Sequence, residues 1–366
     1  MADHFLKLRE LNRATLARQM LLKREAISIS AAIERLIGLQ AQLSSAPFVG
    51  LWTRLSKFGR QDLAALIDNR TIVKATLMRA TLHMSTAEDY VRFRTTLQAV
   101  LDLAASTIGK KGKSFDVEKV LKAARRFIGE KPRTFAEISD MVTELLPDND
   151  VGAMRYTVRT RIPLVQVPIK GGWSYSNKPE FTLAEPWIGR PISPRDNLNE
   201  LVLRYLAAFG PASVTDAQTW LGMKLKETFE KLKPKLKTYK DQGRRELFDL
   251  PDITLPSEDA PAPVRFLPEF DNLLLSHSNR TRVVADEHRK RVYLPGLRVA
   301  PTFLADGFVA GVWKVEKSKN VAELVIEPFS KLAKRDRVEL IEEGERLIRF
   351  VEPNASSFEV RFVASS

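Results

Sequence analysis

Through most of the first 250 residues the apolar positions recur at helical spacing, interrupted by short β-branched runs; beyond Pro263 the period shortens toward that of strands. The pattern predicts helices over residues 12–26, 46–57 and 60–69. Another helix, carrying Ile29, Ala32, Ile33, Leu36 and Ile37 on one face, ends near Gln40. The β-branched run from Thr71 to Met84 reads as short strands. Thr86, with Glu88 and Asp89 behind it, caps a long helix reaching toward Ile108. Helices followed by a strand pair trace the outline of a winged helix.

The outline then repeats. Gly109-Lys110-Lys111-Gly112-Lys113 is a basic joint and marks the first boundary. Helices are expected over residues 116–128, 134–145 (Thr134 as N-cap, Glu137 three residues on) and 149–161. A strand from Leu164 to Ile169, a Gly171-Gly172 turn with Trp173 and Tyr175, and a returning strand near Phe181 complete a wing. Aromatics at such a tip stack on nucleic acid in some proteins; here they are expected to pack the hairpin on its own domain. Pro186, Pro191 and Pro194 form a second linker. Beyond it, a helix from Glu200 to Phe209 closes at Gly210-Pro211, and a short helix starts after Ser213. A Lys-rich helix through Lys224, Lys231 and Lys240 is interrupted by Pro234. Pro251 to Pro263 is the third linker, followed by strands at Arg291–Leu294, Gly307–Glu316 and Val321–Pro328. The last two form a hairpin across residues 317–320; a helix over residues 330–350 and a strand over residues 358–363 finish the chain. The expected fold is mainly α with small β elements. Three tandem winged-helix units (1–109, 110–190 and 191–262) precede a β-barrel-like domain with a C-terminal helix (263–366), whose short strands fit a small barrel or an open sheet.

Gln40 and Gln42 sit at the seam between two predicted helices, with Ser44 or Ser45 as the next N-cap ahead of Pro47. Inside a helix, residues two apart face nearly opposite ways; in extended chain they face the same way, with Ala41 opposed. An extended seam therefore aims two neutral amides at one point. A Gln amide offers a donor and an acceptor but takes up no proton at neutral pH. Two of them can orient a water, yet they cannot serve as a strong general base. Such a site suits a substrate that carries its own driving force, for example a purine made cationic by alkylation at N7. The same spacing also fits an exposed helix end or a cap partner.

Charge adds a partner class. The formal net charge is +13 over 366 residues, with 44% hydrophobic positions and a pI of about 9.8, which favours an anionic partner such as nucleic acid. There are no cysteines, which excludes disulfides and thiolate metal sites. The four histidines (His4, His83, His277, His288) are too scattered for a zinc signature, so no metal and no cofactor are expected. Neither a signal peptide nor a membrane-length apolar run is visible, so a soluble, cytoplasmic monomer is expected.

Gly38-Leu39-Gln40-Ala41-Gln42, followed by Phe48-Val49-Gly50-Leu51-Trp52-Thr53-Arg54, resembles the catalytic motif of the AlkZ/YcaQ family of winged-helix DNA glycosylases. The Gln–Gln form is similar to the AlkZ branch. Thr81-Leu82-His83, the stretch Ala207 to Asp216, and the stretch Val264 to Arg282 resemble further family segments, so the likeness spans roughly residues 10–350. The resemblance implies a monofunctional glycosylase of base excision repair that hydrolyses the N-glycosidic bond of N7-alkylated purines in double-stranded DNA. Opening of interstrand cross-links is an extension of the same activity. It further implies Gln40 and Gln42 as the catalytic pair that positions water. No Lys pattern for Schiff-base formation stands out. Glu34, two turns upstream, is the other carboxylate near the motif and is expected to face solvent; His83 is expected to be structural. Candidate DNA contacts are His277, Arg280 and Arg282 in the C-terminal signature and Lys314, Lys317 and Lys319 at the hairpin. The alternative is a winged-helix DNA-binding protein or transcriptional regulator without activity, which would have no need of the Gln pair.

Overall fold

The structure, a computed structural model, describes residues 5–109 and 114–364, so Lys110 to Lys113 of the expected joint lie outside the described residues. One six-stranded antiparallel sheet organises the N-terminal half. Its order is Leu39–Gln40, Leu82–Thr86, Ile72–Thr76, Leu164–Gln166, Glu180–Leu183 and Arg133–Thr134. The expected first and second units thus share a sheet, joined where Ala75 faces Val165. Both side chains are buried, and the face they line packs on Leu201, Tyr205, Phe209 and Trp220 from the third segment. A common apolar core draws on all three segments, the second giving it Val165 and Ala184, while Val120, Ile128, Ile138 and Val158 form a separate core within that second segment. The third segment has its own small sheet, in which Lys237–Asp241 pairs antiparallel with Glu246–Asp249 and parallel with Phe5–Leu6.

Several boundaries move for physical reasons. The first helix is Leu8–Arg18, and the chain turns at Met20, whose φ is +57°. The expected long helix is two, Ala87–Phe93 and Gln98–Gly109. Between them Thr95 Oγ1 donates to Ser193 O at 2.6 Å and Thr96 Oγ1 accepts from Asn197 N at 2.7 Å, so one hydroxyl serves the second linker and the other the start of the helix beyond it. The Lys-rich helix stops at Leu232 and passes through a tight turn at Pro234. Thr134 caps Phe135–Leu145 with Glu137 in the reciprocal arrangement expected.

No barrel closes at the C-terminus. The sheet there is open and five-stranded, from Arg265–Leu267 at one edge to Ser357–Phe362 at the other. The helix Lys334–Val351 lays Leu340, Leu347 and Ile348 against Phe266, Leu324 and Ile326, so the apolar face is covered without the sheet curling on itself. Phe308–Ser318 and Val321–Pro328 form the expected hairpin. Residues 291–294, expected as a strand, are the end of the short helix Arg289–Val292 and the two-residue strand Tyr293–Leu294.

Candidate active site

The helix Ile29–Arg35, capped by Ser28, leads into two left-handed residues, Ile37 (φ +54°) and Gly38 (φ +80°). They swing the chain from helix into the edge strand Leu39–Gln40. Glycine is required at 38, since a Cβ there would stand 2.9 Å from Met84 O, and the positive φ favours glycine in any case. Gln40 pairs with His83 across the sheet, and Ala41 N donates to Leu82 O at 2.8 Å. Leu39 and Ala41 enter the apolar core, so the seam is extended and the glutamines leave from its other side.

Both amides reach the same hairpin turn. Gln40 Oε1 accepts from Arg79 Nη2 at 2.7 Å, and Gln42 Oε1 accepts from Leu82 N at 2.9 Å. A guanidinium and a backbone N–H only donate, so each carbonyl must face the turn and each amide NH2 must point away from it. Gln40 is 7% exposed whereas Gln42 is exposed, which makes one the floor and the other the rim of the site.

Arg79 occupies the turn in a left-handed conformation, φ +53°, with Ala80 beside it at +55°. Its Nη1 donates to Trp220 O and its guanidinium lies 4.3 Å from the Trp220 ring centre. Burial, and secondarily the charge of Arg280, pushes the Arg79 pKa down to about 9, leaving it a cation at neutral pH. His83 is wholly buried. Its Nδ1 donates to Thr81 O at 3.0 Å, its Nε2 stands 3.5 Å from Arg79 Nη2, and its ring meets Trp220 edge-on. Burial and then the Arg79 charge push the His83 pKa down to about 3, so the ring is neutral and out of solvent's reach. Arg79 carries no spacing signal in the sequence, and only its place between two strands could have singled it out.

The C-terminal signature reaches the same place from the other side. Asn272 Nδ2 donates to Gly38 O at 2.7 Å and to Leu36 O at 3.2 Å, fixing the turn that precedes Gln40. Arg280 lies over the Tyr293 ring at 3.9 Å, half-buried and near enough to Arg79 to disfavour its charge. His277 and Arg282, expected as DNA contacts, are both enclosed by protein. His277 is 2% exposed, donating through Nε2 to Phe209 O and facing the Ser276 hydroxyl with Nδ1. Arg282 is 3% exposed and donates to Pro211 O and Thr15 Oγ1. Side chains enclosed this way present no donor to a phosphate. Lys314 and Lys317 are exposed and paired with Glu316 and Glu352, while Lys319 is exposed at the hairpin turn. The strand carrying Lys314 and Lys317 and the strand carrying Gln40 belong to different sheets. Glu34 is half-buried, and its backbone carbonyl accepts from Arg204. Trp173 packs edge-on against Phe48, and Tyr175 is buried, so the wing aromatics do pack inward, though onto the first segment. Among the described residues no cluster of three His, Asp or Glu is placed to hold a metal ion, and no helix is long and apolar enough to cross a membrane.

The profile of the family described as DNA glycosylase AlkZ-like matches residues 33–350. The chain belongs to this AlkZ-like DNA glycosylase family and is an enzyme of that class, which replaces the alternative of an inactive regulator. A protein of Streptomyces sahachiroi described as an interstrand DNA cross-link repair glycosylase is 27% identical over 338 residues, covering 85% of this chain and 88% of that protein. The solved structure of the Streptomyces sahachiroi DNA glycosylase AlkZ has the same fold, with a TM-score of 0.76 at 22% identity over 98% of this chain and all of that one.

Proposed function

We propose that this glycosylase hydrolyses the N-glycosidic bond of cationic N7-alkylated purines in duplex DNA, with Gln40 and Gln42 holding the attacking water. The observation that carries the reading is the convergence of two amides, each turned by an obligate donor, on one hairpin at the sheet edge. Each carbonyl keeps a second lone pair that can accept a proton of the water, and each NH2 is left to donate toward DNA. Neither group removes a proton outright. The C–N bond breaks because the base departs neutral from a cationic nucleoside; water adds to the sugar carbon and its proton passes to solvent. His83 does not take that proton, being buried and already bonded.

The exposed rim at Gln42 supports a shallow site that accepts bulky adducts. Together with the described activity of the Streptomyces relative, this extends the proposal to unhooking of N7-linked interstrand cross-links. The test compares wild type with Gln40→Ala and Gln42→Ala on duplexes bearing N7-methylguanine. Both variants are expected to lose excision while still binding DNA; wild-type rates from both would refute the assignment. Denaturing gels of a cross-linked duplex read the extension separately.

A further inference from the structure

The catalytic turn is clamped from a distant part of the chain. Trp220 lies at the buried end of the helix Val214–Leu221, where the last carbonyls carry partial negative charge that favours a cation. The helix closes at Gly222, whose φ is +81°, and a Cβ on that residue would stand 3.2 Å from Arg79 Cα. Arg79 fills this junction with its ring contact to Trp220, its bond to Trp220 O and its bond to Gln40 Oε1. A long-chain amide left to itself samples several rotamers, and ordering it during the reaction slows the reaction. A planar guanidinium that serves two acceptors at once removes that freedom beforehand.

We propose that Arg79 is the positioning residue of Gln40: the guanidinium, anchored on the end of the helix at residues 214–221, fixes the Gln40 amide for water and so makes hydrolysis depend on the third segment. The proposal rests on the reading of Gln40 as catalytic. Arg79 itself touches neither water nor DNA in this role and acts through the amide.

A double-mutant cycle tests it. Single-turnover excision of N7-methylguanine is measured at saturating enzyme for wild type, Arg79→Met, Gln40→Ala and the double variant, beside duplex affinity. Arg79→Met is expected to slow excision by about 10- to 100-fold with affinity unchanged, and the double variant to be no slower than Gln40→Ala alone. If the two losses multiply, or if Arg79→Met excises normally while Gln40→Ala does not, the positioning role is overturned and the catalytic reading survives. If Gln40→Ala itself excises normally, the catalytic reading falls, and the positioning role with it. Should Arg79→Met fail to fold, Arg79→Lys decides. A single ammonium keeps the charge over Trp220 but lacks the planar fork that fixes both acceptors in one geometry, so excision should slow with the melting temperature unchanged. A wild-type rate for Arg79→Lys would overturn the proposal.

Discussion

Arg54 and Asp271 form a bidentate ion pair, with contacts of 2.7 and 2.8 Å, in which both side chains are almost wholly buried. They lie in two of the family-like stretches, and the pair locks the segment following the Gln motif to the C-terminal signature. Asp271 also caps the short helix Asn272–Leu275, which places Asn272 on the Gly38 carbonyl.

Removing one partner of this pair leaves a buried charge unmatched. Asp271→Ala is expected to destabilise the fold by about 3–5 kcal/mol, measured by urea unfolding. Arg54→Met with Asp271→Leu, which removes both charges, should recover much of that loss. If Asp271→Ala unfolds at the wild-type urea midpoint, the pair is not holding the segments together.

Gly38→Ala should act on geometry. The added Cβ meets Met84 O at 2.9 Å, and φ of +80° is unfavourable for alanine, so the Gln40 strand must shift. Excision is expected to drop by about 100-fold, since a shift of roughly 1 Å in a positioned group has that effect. Duplex affinity is read alongside, and normal excision by this variant would show that the turn does not aim the amides.

Acid should weaken the fold. His83 and His277 are pushed down to about 3 by burial, whereas in the unfolded chain they titrate near their ordinary value of 6.5. Between these values the unfolded state binds more protons, so the stability held above pH 6.5 is lost as pH falls toward 3. At pH 5 the loss from His83 is roughly 1–2 kcal/mol, and His277 adds to it in the same direction. Urea midpoints at pH 7.5 and 5.0 check it; equal midpoints would mean that the buried rings are not neutral in the fold.

Salt separates surface cations from internal ones. If Arg280 and Lys319 each neutralise a phosphate, alanine at either should reduce the slope of log affinity against log salt by about 0.9. His277→Ala and Arg282→Ala should lower the melting temperature instead. An unchanged slope for Arg280→Ala and Lys319→Ala would place the duplex elsewhere on the surface.

Local signals in the sequence carried well. The capping box at Thr134, the break at Pro234, the hairpin across residues 317–320 and the extended seam at Gln40 are all present, because each is decided within a few residues. What escaped depends on chain brought in from afar. Nothing near Thr95 and Thr96 announces that their hydroxyls serve residues 193 and 197 and split a helix. His277 and Arg282 look like surface cations in a polar run, yet both are enclosed by chain that includes Phe209 and Pro211. Strand periodicity left a barrel and an open sheet both in play, since it does not show that a helix will cover the sheet, and the open form is the one present. Arg79 was the hardest to foresee, as its partners lie 39 and 141 residues away.

The sheet that spans residues 39–183 also bears on how the molecule comes into being. A nascent chain that has emerged only through Met84 holds both glutamines but none of the later parts that orient them: the Leu164–Gln166 strand, the Trp220 carbonyl and the Asn272 amide are still unmade. With the glutamines in their proposed role, half-synthesised or truncated protein should be harmless to the chromosome, and the power to cut a base free should arrive only once nearly three quarters of the polypeptide has folded around the motif.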